Sequence, residues 1–156
     1  MHIVRKLKTT ELPMLTQLFN YKDIDDMITE NTRSIENGIV DIFVLFDDNK
    51  LIGEHHVKND NEEKDFPEKG KRAYLFAFRV HKDYQGKGLG SYLLEIVIDE
   101  LNANGYYELT VGVEDDNNRA RYMYEKHGFV HPIARIKETY QGDSYEYDLL
   151  LRKETL

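Results

Sequence analysis

Apolar positions along this chain follow two rhythms, one of every second residue and one of every third or fourth. His2 to Lys8 alternates, with Ile3 and Arg5 against Val4 and Lys6, and predicts a short first strand. Thr10 is placed to cap a helix with Leu12, Leu15, Leu18 and Phe19 on one side. Pro13 falls in its first turn, where a missing N–H costs least. Asp23 to Ile35 predicts a second helix, carrying Ile24, Met27, Ile28 and Ile35. Ile39 to Phe46 is β-branched and aromatic, a strand; Asp47-Asp48-Asn49-Lys50 is a turn, and Leu51 to Lys58 returns antiparallel. Asn59 to Arg72 is polar, of mixed charge and contains Pro67 and Gly70, so it reads as a solvated loop or an extended hairpin tip. Ala73 to Val80 is an apolar run that predicts a buried strand, and His81 to Tyr84 is a polar turn. Gly86, Gly88 and Gly90 follow, and a helix directly after them presents Leu93, Leu94, Val97, Ile98 and Leu101 until Asn104-Gly105 ends it. Glu108 to Val113 alternates as a strand. Asp115-Asp116-Asn117 opens a further helix, with acids at its positive end, and Gly128 closes it. Phe129 and Val130 start a strand that Ile133 to Tyr140 continues. Gln141-Gly142-Asp143 turns the chain into a last strand, with Tyr145, Tyr147, Leu149 and Leu151 on one face and Glu146, Asp148 and Arg152 opposite.

The resulting order, β, α, α, β, β, β, α, β, α, β, β, predicts an α/β fold: a mixed, mostly antiparallel central sheet with helices on both faces. With 156 residues, 40% hydrophobic and 32% charged, one globular domain over 1–156 is expected. The absence of cysteine excludes disulfides and thiolate catalysis and agrees with a cytoplasmic location. The N-terminus lacks the apolar core of a signal peptide, and no stretch approaches the length of a membrane span, so no membrane role is expected. A net charge of −8 argues against general nucleic-acid binding.

The strand, glycine loop and helix from Ala73 to Asn104 suit an anionic ligand. Glycines allow close backbone approach, and the first N–H groups of a helix lack internal partners and carry the positive end of its dipole. A nucleotide P-loop needs four residues between its first glycine and Gly-Lys-Ser/Thr, which Gln85-Gly86-Lys87-Gly88-Leu89-Gly90-Ser91 does not provide. A dinucleotide loop wants G-x-G-x-x-G after the first strand of a βαβ unit, whereas here position 91 is Ser and an antiparallel hairpin precedes. A ligand-free connection would not favour three alternating glycines.

Gln85-Gly86-Lys87-Gly88-Leu89-Gly90 resembles the Q/R-x-x-G-x-G/A signature of the GCN5-related N-acetyltransferase family. Asn117-Asn118-Arg119-Ala120, then Tyr124-Glu125-Lys126-His127-Gly128-Phe129, resembles that family's N-x-x-A-x-x-x-Y-x-x-x-G-F segment. The order of elements fits the same acyl-CoA N-acyltransferase fold over nearly the whole chain. The resemblance implies acetyl-CoA as acetyl donor, without a metal. Gln85, Gly86, Lys87, Gly88, Leu89, Gly90 and Ser91 would cradle its pyrophosphate. A bulge in the preceding strand would splay it from its neighbour, and the backbone of Phe78, Arg79 and Val80 would pair with the pantetheine arm as a substitute strand. An N–H there would also hold the acetyl oxygen.

Asn117, Ala120 and Tyr124 share a helical face. Small Ala120 would let the cofactor approach; Asn117 is equally a cofactor contact and a helix cap. Within this resemblance Tyr124 is the candidate general acid for the leaving thiolate, a phenol with an ordinary pKa near 10. Lys82, Lys87, Arg119 and Arg121 flank the two motifs and suit an anionic cofactor as a set. The base that deprotonates the amine is open. Phe76 and Phe78 stand where many members carry a glutamate. Glu54, His55, His56 or a water are the alternatives, and an ordinary polar sheet face is the simplest expectation for the three residues. His55 and His56, as neighbours on a strand, point opposite ways. His81, His127 and His131 lack metal-ligand spacing.

The implied activity is transfer of acetyl from acetyl-CoA to a primary amine of a small molecule or peptide, by direct attack in a ternary complex. A non-catalytic acyl-CoA sensor, or use of another acyl group, are the alternatives. The acceptor is not legible, and the oligomeric state is open, a homodimer through the last strands included.

Overall fold

The alternating and β-branched stretches become seven strands of one sheet in the computed structural model, which describes residues 1–59 and 72–153. They are β1 His2–Lys6, β2 Val40–Asp47, β3 Lys50–Lys58, β4 Arg72–Val80, β5 Glu108–Glu114, β6 His131–Tyr140 and β7 Asp143–Lys153. The helices are α1 Ile24–Glu36, α2 Leu89–Ala103 and α3 Asn118–Lys126. The sheet order is β1-β2-β3-β4-β5-β7-β6, and every neighbouring pair is antiparallel except β4 with β5.

The two faces bury separate cores. On one, Leu93, Leu94, Val97, Ile98 and Leu101 of α2 close over Leu45, Ile52, Val57, Leu75, Leu109 and Val111. On the other, Leu12, Leu15 and Met27 cover Val40, Ile42, Val44 and Phe46. Helices therefore lie on both faces. Removing these side chains from water supplies the main drive for folding. No helix among the described residues is long and apolar enough to cross a membrane.

Several boundaries differ from the sequence expectation. The first helical stretch is a 3-10 helix, Thr9–Gln17, and Thr10 is not its cap. The Lys8 N–H donates instead to Glu11 at 2.9 Å, and Arg5 grips the same carboxylate with both guanidinium nitrogens at 2.8 and 2.7 Å. Asp23 caps α1, accepting the Asp26 N–H at 3.0 Å. Helix α2 begins at Leu89, so Gly90 lies inside its first turn rather than before it. Phe129 and Val130 are not part of a strand. The Phe129 N–H returns to the Tyr124 carbonyl at 3.0 Å and ends α3, while the ring is fully buried. Strand β6 starts at His131, and its register slips between Pro132 and Ala134, where proline lacks a ladder N–H. Most of the Asn59-to-Arg72 connection, residues 60–71, lies outside the described residues.

Candidate active site

Strand β4 is where the regular sheet breaks. It pairs with β5 only from Arg72 to Leu75, opposite Glu108 to Val111. Toward β3, His56 pairs with Phe76 but Glu54 pairs with Arg79. Two steps on β3 thus face three on β4, which is a β-bulge. The extra residue is accommodated at Ala77, whose φ of 48° is left-handed for a residue with a Cβ. Such a conformation costs roughly 1–2 kcal/mol and persists only where the surroundings enforce it. The bulge ends the β4–β5 ladder, and the backbone beyond Leu75 is released on that side.

The glycine loop sits at the end of this released segment. Gly86 and Gly88 adopt φ of 77° and 78°, and Gly88 is the residue from which α2 starts. The Gln85 side-chain amide donates to the Val80 carbonyl at 2.9 Å and ties loop to strand. Gly90 is glycine for a different reason: a Cβ there would lie 2.9 Å from Cζ of Phe78. Leu89, Gly90 and Ser91 form the first turn of α2, where N–H groups lack intrahelical acceptors. From α3, Arg119 Nη2 comes within 3.6 Å of where a Gly86 Cβ would stand, so a cation from the second motif borders the loop of the first. Lys87 lies over the Tyr84 ring at 5.6 Å. Asn117 caps α3, accepting the Ala120 N–H at 3.2 Å, and Ala120 is partly buried against the core. The residues fit a bound acyl-CoA: an unpaired strand edge for amide groups, then an open glycine turn and a helix N-terminus for phosphate.

Glu54, His55 and His56 are all buried, contrary to an ordinary polar face. The apolar and glycine neighbours Leu51, Ile52, Gly53 and Val57 were the available signal, since such a run marks a strand covered on both faces. The two histidines diverge as strand geometry requires. His55 points toward α3. Its Nδ1–H donates to the Phe76 carbonyl at 3.0 Å, which leaves Nε2 to accept the Tyr124 hydroxyl at 2.9 Å. Phe78 packs beside both rings, with centroids 4.9 Å from His55 and 6.1 Å from Tyr124. Burial holds the His55 imidazole neutral, its pKa pushed down to about 3, and drives the Tyr124 phenol well above its ordinary value. Tyr124 is therefore a proton-retaining hydrogen-bond donor.

The neutral His55 makes stability depend on pH. An unfolded histidine takes up its proton near pH 6.5, whereas native His55 does so only near 3. Its contribution is complete above pH 6.5 and is lost as pH falls toward 3. Urea unfolding should show a loss of about 2 kcal/mol from this group between pH 7 and pH 5, and a His55→Gln variant should lack that slope.

His56 points to the opposite side, into a cavity of about 890 Å³. Its Nε2–H donates to Glu54 Oε1 at 2.5 Å, and Arg79 Nη1 lies 3.4 Å from Glu54 Oε2. The ring's Nδ1 has no hydrogen-bond partner among the described residues. The cavity is lined by Phe76 and Ala77 of the bulge and by Gly112 and Glu114 of β5, so it reaches the point where β4 and β5 part. Gly112 is required there, since a Cβ would fall 2.5 Å from the Tyr147 ring. Phe78, Val80, the loop and α3 thus border one side of the bulge, while His56, Arg79 and the cavity border the other.

A model of the acetyltransferase (GNAT) family matches residues 5–129. The chain belongs to that family, and its seven-stranded, mostly antiparallel sheet with helices matches the fold of solved acetyltransferase structures. Among curated relatives, the ribosomal protein bS18-alanine N-acetyltransferase of Escherichia coli K12 is 46% identical over 57 residues, 36% of this chain and 38% of that protein. The L-amino acid N-acyltransferase MnaT of the same strain is 41% identical over 51 residues, 33% of this chain and 30% of that protein. These matches span less than two-fifths of either relative. The solved structure of YncA from Salmonella typhimurium, with its cofactor acetyl-CoA, superposes with a TM-score of 0.72 at 17% identity, covering 98% of this chain and 94% of that one.

Proposed function

We propose that this chain transfers an acetyl group from acetyl-CoA to a primary amine, with both substrates bound together. The observation that carries the reading is the bulge at Ala77, which joins the released β4 edge and glycine turn on one side to the cavity holding His56 on the other. Acetyl-CoA supplies, when bound, a thioester-activated acetyl group.

Gln85 to Ser91 hold its phosphates through backbone N–H groups, with Arg119 and Lys87 adding positive charge. The backbone of Phe78, Arg79 and Val80 pairs with its amide-bearing arm, and an N–H there stabilises negative charge growing on the carbonyl oxygen. Ala120 leaves room beside the arm, and Asn117 fixes the start of α3. His56 Nδ1 takes the proton of the attacking amine, and Glu54 stabilises the imidazolium through Nε2–H. The new bond is C–N, and the bond that breaks is C–S. Tyr124 turns its hydroxyl from His55 Nε2 to the departing sulfur and stabilises it by a hydrogen bond. His55 is less suited as base, because burial disfavours its charge and its Nε2 accepts the Tyr124 hydroxyl before transfer begins.

The test is an amine panel incubated with the protein and acetyl-CoA and read by mass spectrometry. At least one amine should appear N-acetylated. Intact amines throughout, despite acetyl-CoA binding, would favour an acyl-CoA sensor.

A further inference from the structure

We propose that the acceptor amine carries a second cationic group, received by Glu138 in the cavity that holds His56. The inference rests on the acetyl-transfer reading of that cavity and names the acceptor's chemical class.

Glu138 sits on β6, opposite Tyr145 of β7. Its carboxylate accepts the Tyr147 hydroxyl at 2.8 Å and the Tyr145 hydroxyl at 3.1 Å. Both phenols keep their protons, since burial raises Tyr145 to about 12 and Tyr147 further still. Two neutral donors therefore orient the carboxylate without neutralising it. Among the described residues, its partners are these phenols and no cation. A partly buried anion fixed in this way is completed by a positive group from outside.

The walls agree with a slender cation. Tyr74 and Phe76 stack with centroids 5.5 Å apart and planes 7° from parallel, and Tyr145 and Tyr147 stack at 6.0 Å. Such faces suit both methylene chains and cations. Asp23, Asp26 and Glu30 of the α1 edge, with Glu114 of β5, add negative charge to the lining. Of the three lysines and arginines that line it among the described residues, Lys22 donates to the Gln141 carbonyl, Arg79 is paired with Glu54 and stacked 4.0 Å over Phe19, and Lys58 has no such engagement with a described residue. The lining repels an acceptor carboxylate and attracts a diamine. It also keeps a bound amine protonated, which is why a base such as His56 is needed at the reacting end.

The probes are α,ω-diaminoalkanes of increasing length, n-alkylamines of matched length and ω-amino acids. The best diamine should exceed its matched monoamine in kcat/KM by roughly tenfold or more, as expected for one charge-assisted hydrogen bond, and the ω-amino acids should be poorest. Glu138→Gln should bring the diamine-to-monoamine ratio to within about twofold, and Tyr145→Phe should lower it partly. Acetyl-CoA affinity of each variant verifies folding. Equal use of monoamines and diamines, a preference for amino acids, or an unchanged ratio in Glu138→Gln would overturn the proposal. Calorimetry of diamine binding separates the two readings. Binding lost in Glu138→Gln, with no acetylation by the wild type, would retain the cation subsite and reject acetyl transfer. Acetylation without diamine preference would do the reverse.

Discussion

Replacing His56 with glutamine should lower kcat by about 10²–10⁴ while changing acetyl-CoA affinity less than threefold, as expected for loss of a general base. Glutamine is the informative substitution because its amide still offers Glu54 an N–H. Alanine would instead leave a fully buried carboxylate with only Arg79, 3.4 Å away, and would confuse loss of chemistry with loss of fold. The Glu54→Gln variant should lower kcat less, since Glu54 touches no substrate and acts through the imidazole. Steady-state kinetics with a saturating amine, beside calorimetry with acetyl-CoA, separate these effects. A His56→Gln enzyme within threefold of wild-type kcat would remove His56 from the mechanism and return the proton to water.

Gly88→Val should weaken acetyl-CoA binding by at least about 100-fold, a loss of about 3 kcal/mol. Gly88 has a φ of 78°, which a β-branched residue rarely adopts, and it is the residue from which α2 starts. A Cβ at this position meets no protein atom within 4 Å, so the valine projects into open space over the helix N-terminus rather than into the core. Thermal unfolding should therefore move only as far as the backbone penalty of about 1–2 kcal/mol dictates. Gly90→Val is the contrasting case. Its Cβ would collide with Phe78 at 2.9 Å and so disturb the His55 and Tyr124 cluster as well. Full acetyl-CoA affinity in Gly88→Val, measured by calorimetry, would move the phosphate site elsewhere.

The half of the site built from local chemistry was legible in the chain. Asn117 reads as a cap from its place before α3, and it is one. The glycines at 86 and 88 mark a loop that needs backbone freedom, and both take positive φ there. The apolar spacing of α2 marks the face that it buries. Features set by pairing were less accessible. Nothing about alanine at 77 announces a bulge, which exists because β4 must serve β3 and β5 in different registers. The placement of β7 between β5 and β6 is a sheet-level choice and brings Tyr147 over Gly112. It also explains why Glu138 drew no attention: its two phenols come from the other arm of a hairpin. Glu54 and His56 stand among the candidate bases in the sequence, but their burial was not legible, for a related reason. A polar pair in a strand looks like a solvated face until both faces of that strand are known to be covered.

The central claim is direct transfer from thioester to amine on this chain. A single-turnover experiment tests it: protein is loaded with acetyl-CoA, free thiol is followed, and the protein's mass is measured before and after a diamine is added. Thiol should stay bound in the thioester until the amine arrives, then appear together with an equal amount of N-acetylated amine, while the protein's mass never changes. Thiol release without amine together with an acetylated protein, or no release with any amine, would contradict it.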